Sequence, residues 1–224
     1  MRKFLAVSVA VLGVLCLSAC QAVLTPNGPP YTASWNASTS TLTVTNTSSG
    51  NNERTGIGSS KEPNESASTY CATWDSGTTP TQNGIVFRGV TDTGGWDAVE
   101  LERSYYGATT NDGYWVVVYF HGGTFTVDNA SATNLAAYTQ GTGWPLQVCA
   151  AITANDVLSF AVAKVGTPVP ALGTPGQGGT FTLNPADVPA SGRTGSYFAH
   201  LPVGTSATVS NIVIDGVPSA NPLS

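Results

Sequence analysis

Tyr114-Trp115-Val116-Val117-Val118-Tyr119-Phe120-His121 runs for eight residues with no glycine, proline or acidic side chain. Residues two apart on a strand share a face. Tyr114, Val116, Val118 and Phe120 therefore lie on one side, and Trp115, Val117, Tyr119 and His121 on the other. Both sides are apolar or aromatic, so the segment reads as a central strand covered on both faces. One face packs in a main core, which leaves the other to line a groove. Asn111-Asp112-Gly113 just before it is a turn signal.

Strands of similar length are expected on either side of this one. They are Gly84 to Val90, Ala98 to Tyr105, Thr124 to Val127, Leu146 to Ile152, Val157 to Val165, Thr180 to Leu183, Ser196 to His200 and Ala207 to Ile214. Gly, Pro, Asn and Asp clusters separate nearly all of them, and one short turn of helix is expected at Ser131 to Tyr138. About nine short strands with such punctuation predict an all-β jelly-roll sandwich of two antiparallel sheets.

Only 9% of the 224 residues are charged, while 41% are hydrophobic. That is too apolar for a disordered chain and suits an exported β protein. The chain starts with Arg2 and Lys3 before the apolar run Phe4 to Leu17, which ends in Leu17-Ser18-Ala19-Cys20. A basic start, an apolar stretch too short to span a bilayer and small residues at its end form a secretory signal over residues 1–19. The Leu-Ser-Ala-Cys tetrad resembles the lipobox of bacterial lipoproteins. That resemblance implies a lipid-modified Cys20 as the first mature residue and a protein held on the outer face of a bacterial membrane.

Without residues 1–19 the chain carries six basic and thirteen acidic side chains, a formal charge of −7. A surface of that sign argues against nucleic acid, and against any membrane attachment other than the lipid anchor. Cys71 and Cys149 remain as an isolated pair, which in an exported protein reads as a disulfide. Neither has a second Cys or His at metal-ligand spacing, so no metal and no cofactor are expected.

Residues 20–68 are rich in Ser, Thr and Asn and read as a lipid-anchored tether, with a possible first strand at Ser40 to Thr45. The sandwich is expected over residues 69–224.

Five segments in a fixed order, Asp97–Glu102, Gly113–Val118, Asn155–Val162, Gly195–His200 and Val209–Asp215, resemble the concanavalin A-like lectin/glucanase jelly roll, LamG-type domains included. The resemblance is one of strand rhythm. It implies the fold, and it leaves function open among lectins, hydrolases and adhesive modules.

Glu100-Leu101-Glu102 sets two carboxylates on one face of a strand, about 6.5 to 7 Å apart along the backbone. Glycoside hydrolysis needs two carboxyls at a defined separation. Glucanases of the resembled fold carry Glu-x-Asp-x-Glu, whereas this chain has Asp97-x-x-Glu100-x-Glu102. The alternative to a catalytic pair is a solvated polar face opposite Val99 and Leu101.

Aromatic residues are a second lead, because sugar rings stack on aromatic faces. Trp96 in the turn Gly94-Gly95-Trp96-Asp97 and Tyr106 before a Gly/Thr/Asn loop are expected as exposed platforms, and Trp74, Trp115 and Trp144 as core fillers. The expected ligand-binding set is thus Trp96, Glu100, Glu102 and Tyr106, with Arg88 and Trp115 as further members. His121 and His200 are too few for a metal cage or a hydrolytic triad. The sequence points first to a surface lipoprotein that binds a glycan or cell-envelope ligand without turnover. A glycoside hydrolase using Glu100 and Glu102, and a structural or adhesive envelope protein, are the alternatives.

Overall fold

The computed structural model describes residues 31–47, 54–58, 63–75, 82–92, 95–104, 114–122, 124–135, 138 and 145–223. The signal segment, Cys20, Tyr106 and Trp144 lie outside them.

The first half of the chain forms β1 (Tyr31–Asn36), β2 (Thr41–Asn46), β3 (Arg54–Ile57), β4 (Ser68–Asp75), β5 (Gln82–Asp92), β6 (Gly95–Ser104) and β7 (Tyr114–His121). It continues through β8 (Thr124–Asn134), β9 (Leu146–Ile152), β10 (Val157–Lys164), β11 (Gly178–Thr182), β12 (Arg193–Ala199), β13 (Ser206–Ile214) and β14 (Val217–Pro218). A larger sheet has the order β1-β2-β13-β4-β9-β10-β11, with β14 added beside β13, and a smaller sheet the order β3-β12-β5-β6-β7-β8. All pairings between these strands are antiparallel. The chain passes repeatedly from one sheet to the other, so that β13 returns between β2 and β4, and β12 between β3 and β5. This is a jelly-roll sandwich.

The alternation of the sequence builds the core directly. In β4 the side chains of Tyr70, Ala72 and Trp74 point inward, and in β9 those of Leu146, Val148, Ala150 and Ile152 do the same. They meet Ile85, Phe87, Val99, Leu101, Trp115 and Val117 of the smaller sheet. An aromatic stack runs through the middle. Trp74 and Trp115 lie 5.4 Å apart, Trp115 and Phe160 4.9 Å, and Phe160 and Phe181 5.8 Å. Each such ring contributes roughly 1.5 to 3 kcal/mol by burial.

Cys71 and Cys149 form the expected disulfide, and it joins directly opposed residues of the neighbouring strands β4 and β9. The bond therefore lies within one sheet.

Two boundaries differ from the sequence expectation. β1 and β2 pair with each other, β2 pairs with β13, and β3 pairs with β12, so the sandwich already includes residue 31. The Ser/Thr-rich composition of 20–68 hides this because the inward positions alone are apolar. Tyr31, Leu42, Val44 and Ile57 are buried. Ser131 to Asn134 continue strand β8, and the helical turn expected over Ser131 to Tyr138 falls at the end of that range, where the Tyr138 N–H donates to the Leu135 carbonyl at 2.8 Å. Among the described residues no helix is long and apolar enough to cross a membrane.

Candidate functional site

Strand β6 places the acid pair. Along Gly95–Ser104, Val99 and Leu101 enter the main core, so Trp96, Ala98, Glu100 and Glu102 point to the other side of the smaller sheet. This outer face carries its own apolar cluster, made of Val86, Trp96, Ala98, Val116, Val118, Phe120, Tyr197 and Ala199. Every member comes from β5, β6, β7 or β12. The face that the double apolar pattern of Tyr114–His121 implied is thus a second interior.

Strand register brings the polar groups into rows. Tyr197, Gly84, Glu102 and Val116 follow one another across β12, β5, β6 and β7. Gly195, Val86, Glu100 and Val118 form the adjacent row. Glu100 is 0% and Glu102 4% exposed. The pair is therefore no solvated face, and its neighbours in both rows are apolar or aromatic residues and glycines. Burying two carboxylates is expensive unless the surroundings answer them, so their joint presence marks this face above any other.

Trp96 occupies the same face and is 2% exposed. Its ring lies 4.3 Å from that of Phe120 at 39°. The expected exposed platform is thus a buried ring with one side taken. Its indole Nε1 has no hydrogen-bond partner among the described residues. The side chain thus presents an N–H donor and no open stacking face.

Arg88 and Trp115 do not join this group. Trp115 points into the main core between Trp74 and Phe160, because odd positions of β7 face inward. Arg88 sits where the β5–β6 register shifts, with φ of 52°. Its guanidinium is 3% exposed and pairs with Asp156 at 2.6 Å. It also donates to the carbonyls of Ser66, Thr153 and Pro189. All three of its nitrogens are engaged, so Arg88 ties three loops to the sheet and has nothing left for a ligand.

Asp97 is on the opposite side of β6 from the glutamates and accepts a hydrogen bond from the Gly122 amide at 2.6 Å. Ala98 stands two residues before Glu100 on the shared face. A three-acid row on this strand is thereby absent. His121 is half exposed and lies 3.8 Å from Asp187, away from the acid pair. Among the described residues no group of three or more His, Cys, Asp or Glu is placed to hold a metal ion.

Tyr197 and Gly84 are the members that sequence reasoning missed. Both lie within expected strands, but their position beside Glu102 arises from the β12–β5 pairing, between strands more than a hundred residues apart in sequence. Strand rhythm carries no signal for such a pairing.

No protein-family model and no curated protein matches the chain. Among solved structures it is similar to the VIP36 exoplasmic/lumenal domain in its Ca2+/Man3GlcNAc-bound form, at 9% identity over 86% of this chain and 85% of that one, with a TM-score of 0.47. It is also similar to the GH43 BlXynB protein from Bacillus licheniformis, at 14% identity over 72% of this chain, with a TM-score of 0.36, and to a point mutant of that protein with a TM-score of 0.39. The match spans 31% of the BlXynB chain.

Proposed function

We propose that the protein is an exported lipoprotein, anchored through Cys20, whose sandwich binds a neutral glycan on the outer face of the smaller sheet without turning it over. Support comes foremost from one observation. Two buried carboxylates, Glu100 and Glu102, stand side by side among aromatic residues on a face that is not the main core. Carboxylates accept hydrogen bonds from hydroxyls, the Trp96 N–H donates one, and Tyr197 and Phe120 supply apolar surface for C–H groups. The lipid anchor rests on the basic start, the apolar run and Leu17-Ser18-Ala19-Cys20.

As described, the face is closed to solvent, so a ligand enters only when it opens. Association is then expected to be slower than the usual 10⁵ to 10⁷ M⁻¹s⁻¹, at about 10⁴ M⁻¹s⁻¹ or below.

A glycan array with the mature protein, followed by reducing-end assays on each hit, tests the reading. Glu100→Gln or Glu102→Gln should weaken binding about tenfold or more, since a hydrogen bond to a charged group is worth roughly 1.5 to 3 kcal/mol. Binding that is indifferent to both substitutions would sink the proposed site. For the anchor, Cys20→Ser should abolish metabolic labelling by palmitate and release the protein from the membrane fraction.

Hydrolysis is the second reading, favoured by the i, i+2 spacing of the pair. About 6.5 to 7 Å along the strand falls at the short end of the inverting range and outside the retaining one. New reducing ends that vanish in either glutamine variant would establish it in place of simple binding.

A further inference from the structure

We infer that the Cys71–Cys149 bond is a thiol–disulfide exchange site, open to an exported dithiol reductant while the sandwich stays folded. The inference is independent of any glycan. The alternation of β4 and β9 sends Tyr70, Ala72, Trp74, Val148 and Ala150 into the core, and Cys71 and Cys149 to the opposite, outer face of the larger sheet. Both cysteines are only half-buried there.

Their sheet neighbours are small, polar or aliphatic. Along the strands they are Thr69, Thr73, Gln147 and Ala151, and across the sheet Val213 and Ala161. None is aromatic or charged, but Ala161 is itself buried and Asp215 accepts hydrogen bonds from Thr69, so an attacking thiolate approaches over the part-exposed Thr73, Gln147 and Val213.

Position also makes the bond dispensable to the native state. It links no two layers: β4 and β9 are already held by an unbroken register from Ser68↔Ile152 to Trp74↔Leu146, with the cysteine pair at its middle. Breaking the bond removes no core contact and leaves hydrogen-bonded pairs on both sides. The two sulfurs then remain opposed, so closure of the bond is as direct as its opening. A disulfide between the layers would lack both properties.

The reaction is an ordinary exchange. A thiolate of the dithiol attacks one protein sulfur, a mixed disulfide forms, and the other protein sulfur leaves as a thiolate and takes up a proton. The second thiol of the reductant then resolves the mixed disulfide. The protein bond is reduced to two thiols and the dithiol is oxidised to its disulfide, a transfer of two electrons and two protons.

The test treats the mature protein with dithiothreitol under native conditions, quenches with iodoacetamide and maps the labelled peptides, with far-UV circular dichroism recorded before quenching. Complete labelling of both Cys71 and Cys149 with an unchanged sheet spectrum is expected, and removal of the reductant should restore the bridge in the unlabelled sample. A bond that resists reduction until denaturant is added would overturn the inference, as would loss of the sheet spectrum on reduction. The Cys71→Ala/Cys149→Ala variant provides a second measurement. It should keep the same spectrum, and failure of that variant to fold would also count against the inference.

Discussion

The ring of Tyr197 occupies the space that a side chain at Gly84 would fill. A Cβ at Gly84 would lie 2.9 Å from Cδ1 of Tyr197 and 2.8 Å from the carbonyl oxygen of Leu101. The second of these contacts is with backbone and cannot swing away. Gly84 is directly opposite Glu102, so the missing side chain seats an aromatic ring beside the acid pair.

Gly84→Ala is therefore expected to destabilise the protein by about 1 to 3 kcal/mol, the usual range for overpacking. It should also displace Tyr197 and weaken any ligand of the outer face. Urea denaturation measures the first effect and titration of the folded variant the second. A variant as stable as the parent would show that the smaller sheet yields at this row.

Arg88 offers a different kind of test. Its guanidinium answers one carboxylate and three carbonyls from separate loops, all through a side chain that is almost wholly buried. Removing the guanidinium leaves three carbonyls without their donor and the part-exposed Asp156 without its cation, a loss of about 1 to 3 kcal/mol. Arg88→Ala should lose roughly that much, and Arg88→Lys should recover only part, since an ammonium lacks the planar fork. Thermal unfolding of the two variants checks the order. Equal stability of the parent and Arg88→Ala would remove the pin from the account of the fold.

How much of this was legible beforehand varies by residue. Tyr114–His121 announced two covered faces, and the outer cluster around Val116, Val118 and Phe120 is the second of them. Glu100 and Glu102 were placed on one face by simple alternation. Their burial was not legible, because alternation says which side a residue faces and nothing of what surrounds it. Arg88 was misjudged for a related reason: a register shift and a positive φ arise from tertiary pairing, and its partners Ser66, Asp156 and Pro189 are distant in sequence. β1 and β3 were hidden by composition, since a strand with a solvent face needs few apolar residues.

Tyr70 makes the fold sensitive to alkali. Its hydroxyl is 2.6 Å from Ser196 Oγ across the two sheets, and burial pushes the phenol far above its ordinary value of 10.0, outweighing that hydrogen bond. Above pH 10 the unfolded chain releases this proton while the folded protein keeps it. The contribution is thus complete below pH 10 and falls as pH rises, by about 1.4 kcal/mol per unit. Tyr70→Phe should cost about 1 to 3 kcal/mol at neutral pH by leaving the buried Ser196 hydroxyl without its partner. The deficit should shrink above pH 10. Denaturation midpoints from pH 8 to 11.5 for both proteins would reveal the convergence, and parallel curves would exclude Tyr70 as its source.

Trp115 and Trp96 lie on opposite faces of the same sheet, and this lets stability be tested apart from the proposed binding. Trp115 stacks between Trp74 and Phe160 in the main core, so Trp115→Ala should cost about 3 to 5 kcal/mol. Its surviving folded fraction should bind ligand as the parent does. Trp96→Phe keeps an aromatic ring against Phe120 but removes the indole N–H, which has no hydrogen-bond partner among the described residues. That variant should lose little stability, and its affinity should fall about three- to tenfold, the loss of one neutral hydrogen bond. Unfolding curves and ligand titrations of the two variants would decide between them. A binding defect in Trp115→Ala at full occupancy of the folded state would move the site to the space between the sheets, away from Glu100 and Glu102.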